Sequence, residues 1–476
     1  MKPILIAILF IVTVSGSMRG QLDRTVRPEP GPTPPLTLPE IQRSSLDNGL
    51  AIMLVEHHEL PVVEVSMVIM SGSAHDPPGM AGLADLTTSM MDEGTGKRDA
   101  LQIADDLEFL GASVSVSSGL DASTASLVTL KEHLGPAMEI YADVLLDPSF
   151  PETEWERVRK SHLTSLLQQK DRPGTVAGKV FNLITFGPEH PYGRPSDGTE
   201  ESVESITIAD MRRFYSEHFR PNNATVIVVG DVTMPEVREV LETYFRGWKA
   251  GSRIETRTPA PAPVASTRIY LIDKPEAAQS EIRIGHVGVN RGTADYFALT
   301  VMNTILGGQF SSRINMNLRE TKGYTYGART GFSMRKEAGP FTASAAVKSA
   351  VTDSSVIEFM SELNRMINED VTEDELQFAK NSLIRREPRN FETPGQIAGQ
   401  LESLVLYGLP DDYFATYVQN FQKVSIADVR RVAERYLHPA EMNIVIVGDV
   451  AEVRDGLGSL GYGDVVMLDA DGNRTN

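Results

Sequence analysis

The sequence contains no cysteine among its 476 residues. This absence excludes a disulfide framework, a zinc site built on thiolates, a cysteine nucleophile and an anchor attached to a lipidated cysteine. Positive charge is also scarce, because 64 Asp and Glu residues outnumber 45 Lys and Arg residues and leave a formal net charge of -19. Binding to nucleic-acid phosphates needs clustered Lys and Arg. The charge balance therefore argues against a nucleic-acid partner and is explained most simply by solubility.

Several motifs that carry chemistry are missing as well. The chain has no phosphate-binding loop, no Gly-x-Ser-x-Gly nucleophile turn and no His-Glu-x-x-His zinc motif. Its nine histidines are scattered, and no two have the His-x-x-x-His spacing that places two ligands on one helix face. Because a zinc site needs three or four converging ligands, the local sequence predicts no metal site.

The N-terminus has the pattern of a secretory signal peptide. Lys2 precedes an apolar run from Ile4 to Val14, and the small residues 15–17 follow it. The run is shorter than the roughly 20 apolar residues of a membrane-spanning helix. We therefore assign residues 1–20 to a signal peptide and expect an exported, periplasmic protein. An uncleaved anchor is the alternative, and it also exports the body of the protein.

An internal repeat divides the rest of the chain. The segment ITIADMRRFYSEHFRPNNATVIVVGDV begins at Ile206 and matches VSIADVRRVAERYLHPAEMNIVIVGDV, which begins at Val424, without a gap over 27 residues. Each copy predicts an N-capped helix, a proline stop and a buried strand that closes at Gly-Asp-Val. Chance similarity of two helices is a poor explanation for the shared Ala-Asp, Arg-Arg and Gly-Asp-Val positions. We infer two homologous domains.

Composition places the domain boundaries. Residues 21–40 form a Pro-rich spacer, and residues 251–265 form a linker rich in Pro, Ala and Thr without an apolar period. The first domain is therefore predicted over residues 41–250 and the second over residues 266–468. A tail follows at residues 469–476.

Strand and helix patterns occur in blocks within these domains. Residues 50–56 and 62–70 predict two strands joined by a short loop, and residues 113–130 alternate around a turn, which is a hairpin signal. Long helical stretches follow. Adjacent strands linked by hairpins favour a largely antiparallel sheet covered by helices, which is an α+β fold.

The segment GLADLTTSMMDEGTGKR, residues 82–98, predicts one amphipathic helix that ends at a glycine. At 100° per residue, Asp85, Thr88 and Ser89 fall on one face, opposite an apolar face of Leu and Met side chains. Three small polar side chains at this spacing match no familiar ligand set. The residues alone therefore give this polar face no function.

The segment GGQFSSRINMNLRETKGYTYGARTGF begins at Gly307 and predicts a glycine turn, a helix over residues 312–321, a stop at Gly323 and a strand. Arg319 near the helix end and Tyr326 at the strand start could face one cavity, where they would suit a peptide carbonyl or carboxylate. The alternative is that Arg319 satisfies helix carbonyls and Tyr326 packs on the sheet. On the residues alone, this structural alternative is favoured.

Taken in order, these segments resemble the insulinase, pitrilysin and mitochondrial-processing-peptidase family of zinc proteases. The resemblance covers nearly the whole mature chain, through the segments LDNGLAIMLVEHHELPVVEV, GSAHDPPGMAGLADL, HPYGRP, both GDV strand ends and LRETKGYTY. It implies a pair of α+β domains that face each other. Such pairs are usually assembled as a clamshell from two chains or from one duplicated chain.

The resemblance also implies that the zinc site is lost here. In active members a helix at this place carries His-x-x-Glu-His, in which the histidines bind zinc and the glutamate activates water. The corresponding positions hold Asp85, Thr88 and Ser89, and the third ligand, a glutamate on a later helix, falls near Thr164 or Ser165. We therefore expect no zinc in this chain and no proteolysis by the chain alone.

The other half of the family's machinery is retained. In the family an Arg and a Tyr seven residues apart reach across the chamber to the substrate, and Arg319 and Tyr326 have this spacing, with Tyr324 as an alternative of the same strand parity. On the residues alone, a structural role of Arg319 and Tyr326 is favoured. The resemblance reverses this preference and implies that the two residues form a functional pair.

The function that the resemblance implies is that of a non-zinc-binding subunit of a heterodimeric zinc metallopeptidase. A homologous partner subunit would carry His-x-x-Glu-His and the zinc, and the substrates would be peptides. Two alternatives stay open. One is a catalytically inert peptide-binding or scaffolding protein with the same fold, and the other is an active protease whose site is assembled elsewhere.

Overall fold

The computed structural model describes residues 39–252 and 258–475, here called the N-terminal and C-terminal halves. The predicted signal peptide, nearly all of the Pro-rich spacer and part of the predicted linker lie outside the described residues. Within the described ranges, no helix is both long and apolar enough to cross a membrane.

The N-terminal half contains a six-stranded sheet with the strand order β1-β2-β6-β3-β5-β4. Neighbouring strands are antiparallel except for the parallel pair β2 and β6. The elements along the chain are β1 (Gln42–Ser45), β2 (Ala51–Glu56), β3 (Val62–Ile69), α1 (Leu83–Ser89), α2 (Ala100–Leu110), β4 (Ser113–Ser118), β5 (Ser123–Leu130), α3 (Leu134–Leu146), α4 (Glu152–Lys170), α5 (Pro173–Phe186), α6 (Glu200–Ser205), α7 (Ile208–His218), β6 (Ala224–Gly230) and α8 (Met234–Phe245).

The C-terminal half contains a second six-stranded sheet, with the order β12-β7-β11-β8-β10-β9. The pairs β11–β8, β8–β10 and β10–β9 are antiparallel, whereas the pairs β12–β7 and β7–β11 are parallel. The elements are β7 (Arg268–Asp273), β8 (Gln279–Val287), α9 (Tyr296–Asn303), α10 (Arg313–Asn315), β9 (Thr325–Phe332), β10 (Pro340–Lys348), α11 (Thr352–Asn368), α12 (Glu373–Arg386), α13 (Pro394–Tyr407), α14 (Tyr413–Lys423), α15 (Ile426–Tyr436), β11 (Asn443–Gly448), α16 (Val450–Gly458) and β12 (Val466–Leu468).

The two sheets share a common strand order. Strands β2, β6, β3, β5 and β4 correspond in place to β7, β11, β8, β10 and β9, and the repeated sequence segments form α7 with β6 and α15 with β11. The predicted α+β fold with largely antiparallel sheets is confirmed. The parallel pairs arise where the chain returns to the sheet through a long helical connection, since parallel neighbours need a crossover.

One helix from each half packs against the sheet of the other half. Helix α5 covers β8 and β11, where Val180 and Phe181 join Val445 in one buried apolar cluster. Helix α13 covers β3 and β6, where Ile397 packs in a cluster with Val229. Each half therefore completes an apolar layer of the other, and the hydrophobic effect holds the two sheets in one compact unit.

Candidate functional site

Helix α1 is much shorter than the sequence pattern predicts. It spans Leu83–Ser89 rather than residues 82–98, and the backbone of Gly94 then pairs with Asp99 in an antiparallel bridge. Gly94 has a φ of +153°, a conformation that residues with a Cβ rarely adopt, so the helix cannot run through it. The prediction of one continuous helix is wrong for the second half of this segment.

A buried carboxylate holds the start of α1. Asp76 accepts hydrogen bonds from the backbone N–H groups of Gly82 at 2.9 Å and Ala84 at 2.8 Å. Burial raises the pKa of Asp76 to about 7, although these two bonds oppose the rise. Arg194 from the HPYGRP segment donates to the Asp76 carbonyl at 2.9 Å. Two segments on which the family resemblance rests therefore meet at this helix end.

The three positions that correspond to the zinc motif do not fit a metal. Thr88 is buried, and its hydroxyl donates to the helix carbonyls of Ala84 at 3.1 Å and Asp85 at 2.9 Å. Asp85 and Ser89 are half-buried, and burial raises the pKa of Asp85. One carboxylate and two hydroxyls do not supply converging zinc ligands. In the part of the chain that the structure describes, no group of three or more His, Cys, Asp or Glu side chains could hold a metal ion.

The ionisable neighbour of Asp85 on α4 is His162. The side chains of Thr164 and Ser165, the positions aligned with the third zinc ligand, are exposed. His162 lies close enough to Asp85 to oppose the rise that burial causes in the pKa of Asp85. Its Nε2 donates to the carbonyl of Asp197 at 2.7 Å. Sequence reasoning missed His162 because it considered only carboxylates near the aligned position. One histidine beside one carboxylate does not complete a zinc site.

Arg319 lies in a widened helical turn. Helix α10 continues as a π-helix over Met316–Thr321, where the sequence predicts a regular helix over residues 312–321. Such turns are rare and frequently occur at functional sites. The guanidinium carbon of Arg319 lies 4.5 Å from the ring centre of Phe310, and its Nε lies 3.2 Å from the carboxylate of Glu320. The guanidinium is therefore stacked on an aromatic ring rather than bound to helix carbonyls.

Tyr326 is turned outwards by a bulge in the edge strand β9. The strand pairs regularly with β10 as far as Ala328, and the register then shifts before Thr325. Two residues of β9, Tyr326 and Gly327, thus occupy the space of one residue in β10. A regular strand would place Tyr326 on the face of the buried Ala328, but the bulge leaves Tyr326 89% exposed. The alternative in which Tyr326 packs on the sheet is wrong.

Asn315 joins the glycine-rich loop before α10 to strand β9. Its Nδ2 donates to the carbonyl of Phe310 at 2.6 Å, and its Oδ1 accepts from the backbone N–H of Ala328 at 3.0 Å. A Cβ at Gly307 would lie only 2.4 Å from the backbone nitrogen of Thr330, so a glycine is required for this close approach. These contacts place Phe310 beside the start of β9.

Arg319 contacts Phe310, and the π-helical turn that carries Arg319 packs against β9, the strand of Tyr326; these three residues are here called the Arg–aromatic patch. Phe310 is 61% exposed and was not predicted as a site residue. The signal for it was a single large aromatic residue between a Gly-Gly pair and a Ser-Ser pair. In the described residues no hydrogen bond joins Arg319 directly to Tyr326. The elements that carry them, the π-helical turn and β9, are packed together.

Tyr324 has a different environment from Tyr326. It precedes β9 and is half-buried. Its backbone N–H donates to Leu318 at 2.9 Å, and its carbonyl accepts from the N–H of Lys348 at 3.1 Å. The backbone of Tyr324 is therefore held by two hydrogen bonds outside β9. Although Tyr324 and Tyr326 are two residues apart, they do not lie in the same environment.

The fold and the site together define a metallopeptidase-like chain. Its helix α1 corresponds to a metal-binding helix but lacks the metal ligands. A model described as Insulinase (Peptidase family M16) matches residues 51–186. A second model, described as Peptidase M16 inactive domain, matches residues 205–383 and includes the Arg–aromatic patch. The chain belongs to peptidase family M16.

Similar proteins carry names of two kinds. An uncharacterized zinc protease, YmxG, of Bacillus subtilis (strain 168) is 26% identical over 302 residues, which cover 63% of this chain and 72% of that protein. A non-peptidase homolog, YmxG, of Helicobacter pylori is 23% identical over 399 residues, which cover 84% of this chain and 91% of that protein.

Among solved structures, the peptidase M16 inactive domain from Pseudomonas fluorescens superposes on this chain with a TM-score of 0.81 at 27% identity. The match covers 86% of this chain and 98% of that one. Together with the non-peptidase homolog, this similarity fits a non-catalytic member of the family.

Proposed function

We propose that this chain is the non-zinc-binding subunit of an exported, heterodimeric zinc metallopeptidase that cleaves peptides. A homologous partner subunit with a His-x-x-Glu-His helix supplies the zinc. This chain contributes Arg319, Tyr326 and half of the chamber wall. The observation that carries the proposal is the 89% exposure of Tyr326 at a bulge in β9, the strand against which the turn of the stacked Arg319 packs, in a chain whose α1 has lost the zinc ligands.

The chemistry of the pair suits a peptide carbonyl. An arginine fork donates parallel hydrogen bonds in a fixed plane, and a tyrosine hydroxyl donates one more. The ion pair with Glu320 is made by Nε of Arg319, so the terminal nitrogens can reach outwards. Such donors stabilise the negative charge that develops on a carbonyl oxygen when water attacks the peptide bond.

Co-expression with a zinc-motif partner tests the proposal. Arg319→Ala and Tyr326→Phe should each lower kcat/KM for peptide cleavage by about 10²-fold or more, because removal of one such donor costs this much in other enzymes. Arg329→Ala removes an exposed arginine from the same strand and should leave cleavage unchanged. Full activity of both site variants in an intact heterodimer would contradict the proposal.

Two further measurements separate the alternatives. Tyr324→Phe should behave like the wild type, since its environment differs from that of Tyr326. Elemental analysis should find zinc in the heterodimer and no stoichiometric zinc in the isolated chain. Stoichiometric zinc in the isolated chain would instead favour an active protease whose site is assembled elsewhere.

A catalytically inert peptide-binding or scaffolding protein is the second candidate. The similarity to a non-peptidase homolog over 84% of this chain favours it. This candidate predicts peptide or partner binding without any contribution of this chain to cleavage. A heterodimer whose cleavage rate is indifferent to both site substitutions, but whose assembly is intact, would support it.

A further inference from the structure

We infer that a cavity between α4, α5 and α6 is a binding site for a straight-chain alkyl carboxylate. The alkyl chain lies against aliphatic side chains of the cavity wall, and the carboxylate pairs with Lys179 and Arg194. The cavity shares no lining residue with the Arg–aromatic patch. The inference therefore goes beyond the proposed function and does not depend on it.

The cavity is formed by both halves of the chain. Its volume is about 410 Å³, which lies within the usual range of small-molecule sites. The wall consists of α4, α5, α6, the HPYGRP segment and residues 470 and 471 near the C-terminus. Lys170 of α4 holds this last segment in place, because its ammonium lies 3.0 Å from the carboxylate of Asp471 and 2.7 Å from that of Glu200.

Aliphatic side chains give the cavity an apolar wall. Leu166 of α4 and both Val176 and Val180 of α5 are at most 5% exposed. Leu183, also on α5, is half-buried, and its spacing from the two valines places all three on one helix face. An alkyl chain that enters the cavity removes apolar surface of both partners from water, which is favourable.

Hydroxyl groups of the wall are already paired, which favours an alkyl chain over a peptide. The hydroxyl of Ser202 donates to the carbonyl of Ala81 at 2.8 Å, and that of Thr199 donates to Ser202 at 3.2 Å. The hydroxyl of Ser205 donates to the carbonyl of Ser202 at 2.8 Å. A peptide brings its own N–H and C=O groups, and each one left unpaired in a cavity costs free energy. An alkyl chain carries no such groups.

Two cations of the wall are suited to bind the carboxylate. The ammonium of Lys179 lies 2.9 Å from Asp197, and one such pair does not saturate its three N–H donors. Arg194 donates to the carbonyl of Asp76, but its buried Nε has no hydrogen-bond partner among the residues that the structure describes. Burial lowers the pKa of Arg194, so an anion beside the guanidinium is favoured.

The acidic side chains of the wall leave this position open to an anion. Glu200 and Asp471 are both paired with Lys170. Glu201 is exposed to solvent, where interactions between charges are weak. The carboxylate is therefore expected beside Lys179 rather than beside Lys170, whose ammonium already has two carboxylate partners.

Isothermal titration calorimetry of the full chain with octanoate, decanoate and 1-octanol tests this inference. Each methylene added between octanoate and decanoate should tighten binding about fourfold, the equivalent of about 0.8 kcal/mol per buried CH₂. The alcohol has the chain length of octanoate without its charge. It should bind about tenfold more weakly, because hydrogen bonds to a charged group are the stronger ones.

Four variants locate the ligand. Lys179→Gln should weaken octanoate binding about tenfold and leave 1-octanol binding unchanged, whereas Lys179→Arg keeps the charge and should retain octanoate binding. Gln169→Trp fills the cavity from α4 and should weaken both ligands. Lys160→Gln removes an exposed lysine from the same helix and should behave like the wild type.

Three outcomes overturn the inference. They are the absence of decanoate binding, equal affinities for octanoate and 1-octanol, and octanoate binding that neither Lys179→Gln nor Gln169→Trp weakens. Tighter binding of acetyl-Leu-Leu with a free carboxylate than of octanoate would also overturn it, because the cavity would then select a peptide C-terminus. None of these measurements involves peptide cleavage, so the proposed function stands or fails separately.

Discussion

Tyr326 reaches solvent because one extra residue in β9 breaks the alternation of the strand. Thr88 shows the opposite effect, since its hydroxyl is satisfied by carbonyls of its own helix and the side chain is buried. Residue type therefore does not decide exposure at either position. The local backbone decides it, through a bulge in one case and a bond to the preceding helical turn in the other.

Asp76 carries a pH dependence of stability that can be measured at the residue scale. Burial raises its pKa from 3.8 to about 7 in the folded chain. Between these values the unfolded chain releases a proton that the folded chain keeps, so stability falls as pH rises. Relative to Asp76→Asn, the free energy of unfolding of the wild type should fall between pH 4 and pH 7 by up to about 4 kcal/mol, at about 1.4 kcal/mol per pKa unit.

Urea unfolding at several pH values measures this difference. Asp105→Asn, which removes an exposed carboxylate from α2, is the matched control. A difference between wild type and Asp76→Asn that stays constant or grows with pH would show that Asp76 is ionised in the folded chain throughout this range.

At the scale of elements, the Arg–aromatic patch depends on a tight contact between a π-helical turn and a strand. The turn Thr304–Gly308 approaches β9 at Gly307, and Asn315 then ties the following loop to Ala328. The π-helical turn over Met316–Thr321 follows and carries Arg319. Together these features give the site its shape.

Gly307→Ala should destabilise the chain by about 1–3 kcal/mol, the usual cost of overpacking a tight contact. The added Cβ would lie 2.4 Å from the backbone nitrogen of Thr330, so β9 or the turn must move. Gly399→Ala on α13 is the control, because its Cβ meets nothing within 4 Å, and it should be neutral or stabilising by up to about 1 kcal/mol. Thermal unfolding of both variants checks the prediction. Equal melting temperatures would contradict it.

At the scale of the whole molecule, the exchange of α5 and α13 couples the two halves. Each helix supplies apolar side chains to a sheet that is distant in the sequence. Removal of core side chains from one half should therefore loosen the sheet of the other. The net charge of -19 also acts on the whole molecule: it favours solubility, and the repulsion between like charges opposes compactness.

Phe181→Ala should lower the free energy of unfolding by about 3–5 kcal/mol, as for other buried phenylalanines. Phe181 is on α5 of the N-terminal half but packs in a cluster with Val445 of β11. Hydrogen exchange should consequently become faster in β11. Phe109→Ala, at an exposed position, should change stability by less than about 0.5 kcal/mol. If exchange in β11 stays unchanged in Phe181→Ala, the two halves are not coupled through α5.

Much of the fold could be predicted from local pattern. The strands at 50–56 and 62–70 and the hairpin at 113–130 are present with boundaries shifted by at most a few residues. These predictions succeeded because alternation and turn residues act over short distances. The helix predicted to continue to a glycine within residues 82–98 ends at Ser89 instead. The pairing of Gly94 with Asp99 beyond it is a contact that a helical wheel does not contain.

The sequence by itself determined the α+β class and the internal repeat, because each depends on residue type and local spacing, and its resemblance to a known family implied the loss of the zinc ligands. Only the tertiary structure decided that α5 and α13 exchange sheets, that a bulge exposes Tyr326 and that Arg319 stacks on Phe310. These features depend on contacts between segments that lie far apart in the chain or on a shift in strand register. The period of the side chains along a single segment carries neither kind of information.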